Sequence, residues 1–356
     1  MFDDILLALT EKSNQNQKNY GENQMTEKKV KVGLIGCGRM GTAHVEALNR
    51  LGTAEIVGVY DIDMPKAEKF AEHYGAKQVC SSRAELLSGC SVELLLICDY
   101  GHQPADELHA AMDAGIRSIF CEKPVIRQLD EAADLLKKQA ETGTLIAVGH
   151  IRRVFPDQLK MKEILDSGIL GRIHFCRIQS CVATFKQTAE GYFGNFARSG
   201  GCTLDMATHF IDMLNWYFGL PVAAGGANVG LERTLLPEEK RCDYVSGFVR
   251  YAGDIICGID VSYQCHGVGR TYMEIYGENG TMLCEGPAVS VVTNDYRTAY
   301  NIPAADVHAD QMKLMLKMTT DRIQPPCTLK DGILSAATAL CMMDPIPGYA
   351  DFVKGL

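Results

Sequence analysis

An aspartate and a histidine on one apolar segment, Asp205 and His209, are well suited by type and spacing to proton transfer. They lie in a predicted helix over residues 203–218, where positions four and seven apart share one stripe, so that Asp212 joins them. Because the segment is otherwise mostly apolar, we expect this stripe to be largely buried. A core histidine hydrogen-bonded to its neighbouring aspartate is the alternative. Metal binding by Asp205 and His209 would need further ligands that the sequence does not place.

A glycine-rich turn follows the first predicted strand, which starts at residue 30. The turn reads Gly36-Cys37-Gly38-Arg39-Met40-Gly41, and a helix-compatible run comes next. Glycine permits a tight turn and a close phosphate approach, and a helix N-terminus offers unpaired N–H groups at a positive dipole end. The pattern predicts a dinucleotide-binding loop. The residues predicted to bind the cofactor here are Gly36, Gly38, Arg39, Met40 and Gly41.

An acidic residue ends the second predicted strand. Asp61 comes twenty residues after Gly41, the separation expected of a carboxylate that binds the adenosine ribose hydroxyls. A carboxylate there would repel a 2′-phosphate, and the first basic residue that follows is Lys66. The spacing therefore predicts NAD as the cofactor rather than NADP. An exposed aspartate in a turn is the alternative interpretation.

Strand and helix patterns alternate through the N-terminal half. Further strands are predicted over residues 54–60, 78–80, 92–98, 117–121 and 145–149. This alternation is typical of a doubly wound parallel sheet of the Rossmann type, which binds ligands at the carboxyl ends of its strands. Glu122 and Lys123 directly follow the fifth strand. We therefore expect both at the edge that the cofactor's reactive ring reaches.

The C-terminal half contains runs of consecutive strands instead. The links Ala252-Gly253-Asp254 and Glu278-Asn279-Gly280 are hairpin signals. They predict an α+β domain with an open-faced, mainly antiparallel sheet. One face of that sheet needs cover, which a subunit partner can supply. The predicted organisation is a mobile N-terminal extension over residues 1–29, a Rossmann NAD-binding domain over 30–150 and a substrate and oligomerisation domain over 151–356.

Composition limits the possible partners. The 356 residues are 47% hydrophobic and 22% charged, and their net charge of -9 argues against nucleic acid or an anionic membrane surface. No apolar run approaches the roughly 20 residues needed to span a bilayer. The 14 cysteines form no C-x-x-C pair, so we expect reduced, buried thiols in a cytoplasmic protein and no structural zinc.

Together these motifs resemble the glucose–fructose oxidoreductase / inositol dehydrogenase / MocA family of nicotinamide-dependent oxidoreductases. The specific parts are Glu122-Lys123-Pro124 and Gly200-Gly201 leading to Asp205-x-x-x-His209, and the resemblance runs from about Val30 to the C-terminus. It implies hydride transfer between NAD and a hydroxyl or ketone of a sugar or polyol. It also implies final helices that pack back near the cofactor domain and a homodimer or homotetramer formed through the C-terminal sheet.

The resemblance further implies roles for individual residues. Lys123, Asp205 and His209 form the catalytic set, in which His209 takes the hydroxyl proton because its ordinary pKa lies near neutrality. Glu122 and Lys123 also contact the cofactor. Arg153 and His102 are candidates for substrate contact, although a structural salt bridge is an equal possibility for Arg153.

Two departures from the family pattern leave other functions open. The segment Asp99-Tyr100-Gly101-His102-Gln103-Pro104 replaces the family's usual turn beside the nicotinamide, and the catalytic helix lacks the Ser-x-x-His-Glu form of inositol dehydrogenases, which favours a sugar substrate. The first alternative is an NAD-dependent lyase or hydrolase that oxidises its substrate transiently. The second is a dinucleotide-binding sensor without catalysis.

Overall fold

The N-terminal half forms a parallel sheet of five strands in the order β2-β1-β3-β4-β5. A computed structural model describes residues 29–99, 104–183, 196–230, 243–265 and 269–356. Most of the predicted extension over residues 1–29, and His102, lie outside these ranges. The strands of this first sheet are β1 Val30–Ile35, β2 Ala54–Tyr60, β3 Leu94–Ile97, β4 Ser118–Cys121 and β5 Leu145–Val148.

Helices cover both faces of this sheet, as the apolar character of its strands requires. All residues of β3, β4 and β5 are buried. The short strand predicted over residues 78–80 is wrong, because Val79 forms only an isolated bridge with Val59 before the chain turns into the next helix. The helices are α1 Arg39–Leu51, α2 Met64–Tyr74, α3 Arg83–Gly89, α4 Pro104–Asp113 and α5 Glu131–Thr142.

The C-terminal half contains an eight-stranded sheet in the order β13-β12-β11-β10-β6-β9-β8-β7. Its pairs are antiparallel except for β6 and β9, so the predicted fold class, a parallel Rossmann sheet followed by a mainly antiparallel sheet, is confirmed. Both hairpin signals join adjacent antiparallel strands. The strands are β6 Ile173–Ala183, β7 Pro221–Val229, β8 Tyr244–Tyr251, β9 Ile256–Cys265, β10 Arg270–Gly277, β11 Gly280–Glu285, β12 Ala288–Thr293 and β13 Arg297–Asn301.

Strands β7 and β13 were not predicted from the sequence. In β7 the central residues are alanine and glycine, which are poor strand formers. Packing explains these small residues. A Cβ on Gly226 of β7 would lie 3.0 Å from the Met342 carbonyl oxygen, and a Cβ on Gly247 of the neighbouring β8 would lie 2.5 Å from the Met342 methyl group. Close approach of a helix, rather than strand propensity, therefore accounts for the composition of this edge.

Helices cover one face of the large sheet and leave the other open. Phe210, Ile178 and Met282 belong to the core on the covered face. None of the helices in the described ranges has the length and apolar character needed to span a bilayer. The remaining helices are α6 Pro156–Asp166, the short α7 Phe196–Ser199, α8 Thr208–Phe218, α9 Val307–Asp321, α10 Leu329–Met343 and α11 Tyr349–Gly355.

The last part of the chain returns to the N-terminal sheet. Met312 and Met315 of α9 share a core with Val32 and Leu34 of β1. Helix α10 completes the core on the opposite side, where Ile333 packs with the residues around β5. The C-terminal helices therefore complete the core around the first sheet.

A buried ion pair connects the segment after β5 with helices α8 and α10. The Arg153 guanidinium donates from Nε and Nη2 to the Asp212 carboxylate, at 2.9 and 2.8 Å, and from Nη1 to the Pro326 carbonyl at 2.7 Å. Nη2 also lies 3.3 Å from Asp331 at the start of α10. Arg153 is buried. This geometry corresponds to the structural salt bridge, the second of the two roles considered for Arg153, and not to a position on the wall of a cleft.

Replacing Arg153 by methionine should lower the free energy of unfolding by about 3–5 kcal/mol, because Asp212 would stay buried without its partner. Urea unfolding followed by circular dichroism measures this. The matched control is Arg270→Met, which breaks an exposed pair with Glu285 and should change the unfolding energy by less than about 1 kcal/mol. Equal stability of the two variants, with weaker substrate binding by Arg153→Met, would place Arg153 in the cleft instead.

Candidate active site

The glycine turn after β1 has no room for side chains at two of its positions. Gly36 has a φ of +93°, and a Cβ there would lie 2.6 Å from the Asp99 backbone nitrogen. A Cβ on Gly41 would lie 2.2 Å from the Gly36 carbonyl oxygen. At Gly38, which caps α1, an added Cβ would meet only the Lys66 ammonium, at 3.9 Å. The turn is thus tightly packed at Gly36 and Gly41 and open at Gly38, where a pyrophosphate can approach the helix N-terminus.

Asp61 lies directly beside this turn. Its carboxylate accepts the Cys37 N–H at 2.8 Å, the Asp63 N–H at 3.0 Å and the Lys66 ammonium at 2.7 Å. Burial works to raise the pKa of Asp61, but these hydrogen bonds and the nearby ammonium outweigh it, so the pKa is lowered from its usual value. The carboxylate stays ionised and fixed, as an acceptor for ribose hydroxyls must be. The sequence did not indicate that Lys66 pairs with it.

Lys123 follows β4 and reaches across to the second half of the chain. Its ammonium donates to the Asp205 carbonyl oxygen and to Asp205 Oδ1, both at 2.6 Å. The other carboxylate oxygen, Oδ2, accepts the hydroxyl of Tyr263 on β9. All three side chains are buried. An ammonium has three donors, so Lys123 retains one for a further oxygen atom.

Asp205 lies on a π-helical turn, Thr203–Ala207, and not on the regular α-helix predicted over residues 203–218. That prediction is wrong for its first turn, and α8 proper starts at Thr208. The wider turn presents the backbone carbonyl of Asp205 to the Lys123 ammonium. Single π-turns in helices occur frequently at functional sites. Of the predicted stripe, Asp205 meets Lys123, whereas Asp212 meets Arg153.

His209 follows the π-turn and lies beside a second histidine. Its ring centroid is 5.7 Å from that of His150, and the rings are perpendicular. Burial, the Lys123 ammonium and then His150 hold the pKa of His209 well below its usual value. Burial also lowers the pKa of His150. Both imidazoles are therefore neutral near pH 7, and each has a buried Nδ1 without a hydrogen-bond partner among the described residues.

Glu122 faces away from Lys123 and is held by helix α1. Its Oε1 lies 2.8 Å from Nε2 of the fully buried His44. Gly149 makes room for the carboxylate, since a Cβ there would lie 2.6 Å from Glu122 Oε2. The His308 ring lies 5.5 Å from that of His44. Glu122 thus lies between the end of β4 and Lys123, against α1, and its predicted contact with the cofactor stays a prediction.

These residues meet where the two halves of the chain adjoin. Gly36, Lys123 and His150 follow β1, β4 and β5, at the carboxyl edge of one parallel sheet, and α8 with its π-turn brings Asp205 and His209 to the same place. The sequence reasoning missed three residues. His150 could have been found, because it ends a strand at the same edge, whereas nothing local distinguishes Tyr263 or His44 from other core residues.

The described residues contain no group of three or more His, Cys, Asp or Glu side chains placed to hold a metal ion. The glycine turn, its open helix N-terminus and the ionised Asp61 do fit NAD. They could hold its pyrophosphate and adenosine ribose while its nicotinamide extends along the sheet edge toward Lys123.

Several solved structures are similar in fold. Levoglucosan dehydrogenase, in a complex with NADH and L-sorbose, superposes with a TM-score of 0.80 at 20% identity, covering 91% of this chain and 97% of that one. UDP-N-acetylglucosamine 3-dehydrogenase from Acidithiobacillus ferrooxidans gives a TM-score of 0.75 at 17% identity, covering 90% and 99%.

Sequence comparison gives the family. Inositol 2-dehydrogenase 3 of Saccharopolyspora erythraea is 29% identical over 73% of this chain and 74% of its own length. The uncharacterized oxidoreductase YrbE of Bacillus subtilis is 29% identical over 88% of this chain and 93% of its own. Residues 30–150 match the model of the oxidoreductase family with an NAD-binding Rossmann fold, and residues 158–283 match the GFO/IDH/MocA C-terminal domain. The resemblance inferred from the motifs is confirmed, and the chain belongs to the GFO/IDH/MocA family of NAD-binding oxidoreductases.

Proposed function

We propose that this protein is an NAD-dependent dehydrogenase that acts on a CH–OH group of a sugar or polyol, or on the matching ketone. The observation that supports this most directly is that the buried ammonium of Lys123, held by Asp205, lies near enough to the partly buried His209 for its charge to help lower the pKa of that imidazole, at the edge where the nicotinamide would lie. When bound, NAD supplies the acceptor for the hydride. The protein then has to remove one proton and stabilise one oxygen atom.

The three predicted catalytic residues divide these tasks. Neutral His209 takes the proton from the reacting hydroxyl. Lys123 donates its remaining hydrogen to the same oxygen and stabilises the negative charge that develops there. Asp205, held by the Tyr263 hydroxyl, fixes the position of the Lys123 ammonium. In the reduction of a ketone the same groups work in the opposite direction.

The substrate class includes inositols as well as sugars. Relatives from several bacteria are named inositol 2-dehydrogenases, whereas the catalytic helix departs from the inositol dehydrogenase pattern and favours a sugar. Incubation with NAD and a panel of sugars, amino sugars and inositols, followed by NADH absorbance, tests both. Neither a lyase or hydrolase nor a non-catalytic sensor gains support from the comparisons. Formation of product without NADH would favour a lyase or hydrolase. Binding of NAD without any turnover would favour a non-catalytic sensor.

The proposed assembly is a homodimer or homotetramer formed through the open face of the large sheet. Phe175 and Ile256 are register partners on β6 and β9, and they are 40% and 50% exposed. Tyr276 stacks on Phe175 at 4.3 Å and extends the apolar row. Aromatic side chains grouped on an exposed sheet face are typical of a protein interface.

A cytoplasmic location is part of the proposal. Twelve cysteines within the described ranges are free thiols, and eleven of these twelve are buried. A reducing compartment suits this arrangement. Immunodetection in separated cell fractions tests it.

Replacing Lys123 by methionine or His209 by asparagine should lower kcat/KM by about 10²–10⁴-fold, since each removes a group that acts on the transferring proton or its oxygen. Affinity for NAD, measured by calorimetry, should change little because its anchors lie at the glycine turn and Asp61. The matched controls are the exposed Lys313→Met and His174→Asn. Loss of NAD binding in parallel with turnover would argue against these roles.

The pH profile should reflect the lowered pKa of His209. The neutral imidazole is the active base, and a lowered pKa keeps it neutral as the solution becomes more acidic. Accordingly, kcat/KM should stay level as the pH falls through 6.5 and should decline only at lower pH. Steady-state kinetics, limited to the range where circular dichroism is unchanged, measures this. A decline centred at or above pH 6.5 would contradict it.

Replacing Phe175 by glutamate should dissociate the oligomer by placing charge in its apolar contact. Sedimentation velocity should show a smaller species than the unmodified protein. Ile169→Glu is a matched control, since Ile169 is 41% exposed but lies in the turn after α6, outside the strands of the sheet. An unmodified protein that sediments as a monomer would refute the proposed interface.

A further inference from the structure

A cavity on the helix-covered side of the large sheet has no part in the mechanism above. It lies between α6, α8, β10 and β11, and its volume is about 560 Å³. Small-molecule sites typically measure roughly 300–1,000 Å³. Its outer rim is formed by the exposed residues 303–305. The cavity is therefore large enough for a ligand of its own and accessible from solvent.

One wall presents a cation, Arg152, that makes no direct ion pair with a carboxylate of the described residues, although Asp157 lines the same cavity. The Arg152 guanidinium lies 4.1 Å from the centre of the Phe210 ring and 5.6 Å from that of Phe155. No acidic side chain in the described ranges lies within ion-pair distance of it. The contrast is with the next residue, Arg153, whose guanidinium holds Asp212 and a backbone carbonyl. The Arg152 donors therefore stay available to a ligand.

A carboxylate lines the same cavity. Asp157 accepts the Gln158 side-chain N–H at 2.6 Å, and the Gln158 carbonyl oxygen accepts the Tyr217 hydroxyl at 3.0 Å. These contacts fix the Asp157 carboxylate. Because Arg152 and Asp157 balance each other's charge, the lining favours a neutral ligand with hydroxyl groups over an ion. Met213 and Met273 add apolar surface, against which the C–H face of a sugar ring can pack.

The cavity adjoins the catalytic residues. Phe210 follows His209 directly on α8, and Arg152 comes two residues after His150. The charge of Arg152 is one of the causes that lower the pKa of His209. A ligand in the cavity would thus contact Phe210 and Arg152, the one directly after His209 in the chain and the other near enough for its charge to act on that imidazole.

We propose that this cavity binds a second sugar ring, so that the natural substrate is a glycoside or disaccharide of which one ring is oxidised. The inference rests on the proposed dehydrogenase function and adds the size and neutrality of the substrate to it. It requires no chemical step beyond hydride transfer to NAD and proton transfer to His209.

The test compares single-ring substrates with two-ring substrates. Kinetics with NAD should show at least a tenfold higher kcat/KM for one or more disaccharides of glucose, galactose or N-acetylglucosamine than for the corresponding monosaccharides and myo-inositol. Ala304→Trp, which fills the rim of the cavity, should remove that advantage and leave the single-ring values within about twofold. Ala252→Trp, in the distant hairpin between β8 and β9, should change neither.

A second variant keeps the proposal testable if Ala304→Trp misfolds. Asp157→Asn keeps the shape of the side chain and removes its charge, and it should lower the two-ring kcat/KM alone, by about tenfold. Single-ring substrates that are oxidised as well as disaccharides, or an advantage that survives both variants, would overturn the cavity proposal and leave the dehydrogenase function intact. Preference for a disaccharide whose second ring is a glucuronate over the matching neutral disaccharide would overturn the neutrality of the site.

Failure of the proposed dehydrogenase function can be distinguished from failure of the cavity proposal. Calorimetry on the NADH-loaded protein measures disaccharide binding without turnover. Binding that Ala304→Trp abolishes, with no oxidation of any sugar or polyol, would support the cavity and refute the dehydrogenase. Absence of any disaccharide binding would overturn the cavity proposal whatever the turnover.

Discussion

The contact on which the site depends is the buried ion pair between Lys123 and Asp205. Taking two charges out of water is costly, and the cost is offset only where geometry and additional hydrogen bonds are good. Here the ammonium meets both a carboxylate and a carbonyl oxygen of the same residue, and Tyr263 satisfies the remaining carboxylate oxygen. Lys123 follows a strand of the first sheet, and Asp205 lies in the second half of the chain. Their ion pair therefore also connects the two halves.

The positive charge of Lys123 also affects the protonation of the neighbouring His209. Burial first, and then the positive charge of Lys123, lower the pKa of His209 and disfavour the imidazolium form, which keeps the imidazole available to accept a proton. Arg153 has a comparable structural role, since it anchors the middle of α8 through Asp212. One helix is thus fixed near its start by Lys123 and in its middle by Arg153, and His209 lies between the two anchors. Its position is determined from both sides.

The predictable features were the ones that local rules govern. The glycine turn, Asp61 and the two hairpins follow from backbone freedom and spacing along one segment, and Lys123 follows from the rule that ligands bind at strand ends. The π-turn at Asp205 could not be predicted, because the contact that its carbonyl oxygen makes is with an ammonium 82 residues away. Strand β7 was missed because helix packing, not strand propensity, selected its small residues. The contact of Tyr263 with Asp205 likewise arises only when elements distant in sequence meet.

The return of the C-terminal helices has a consequence for synthesis on the ribosome. Strand β1 shares its core with Met312 and Met315, so nearly 280 residues separate the two parts of one apolar cluster. A nascent chain can form the glycine turn early, yet the sheet beneath it keeps an uncovered apolar face until α9 has left the exit tunnel. Contacts this distant in sequence close slowly. Cofactor binding and completion of the first domain therefore belong to the end of translation, although the residues proposed to bind the cofactor are made well before α9.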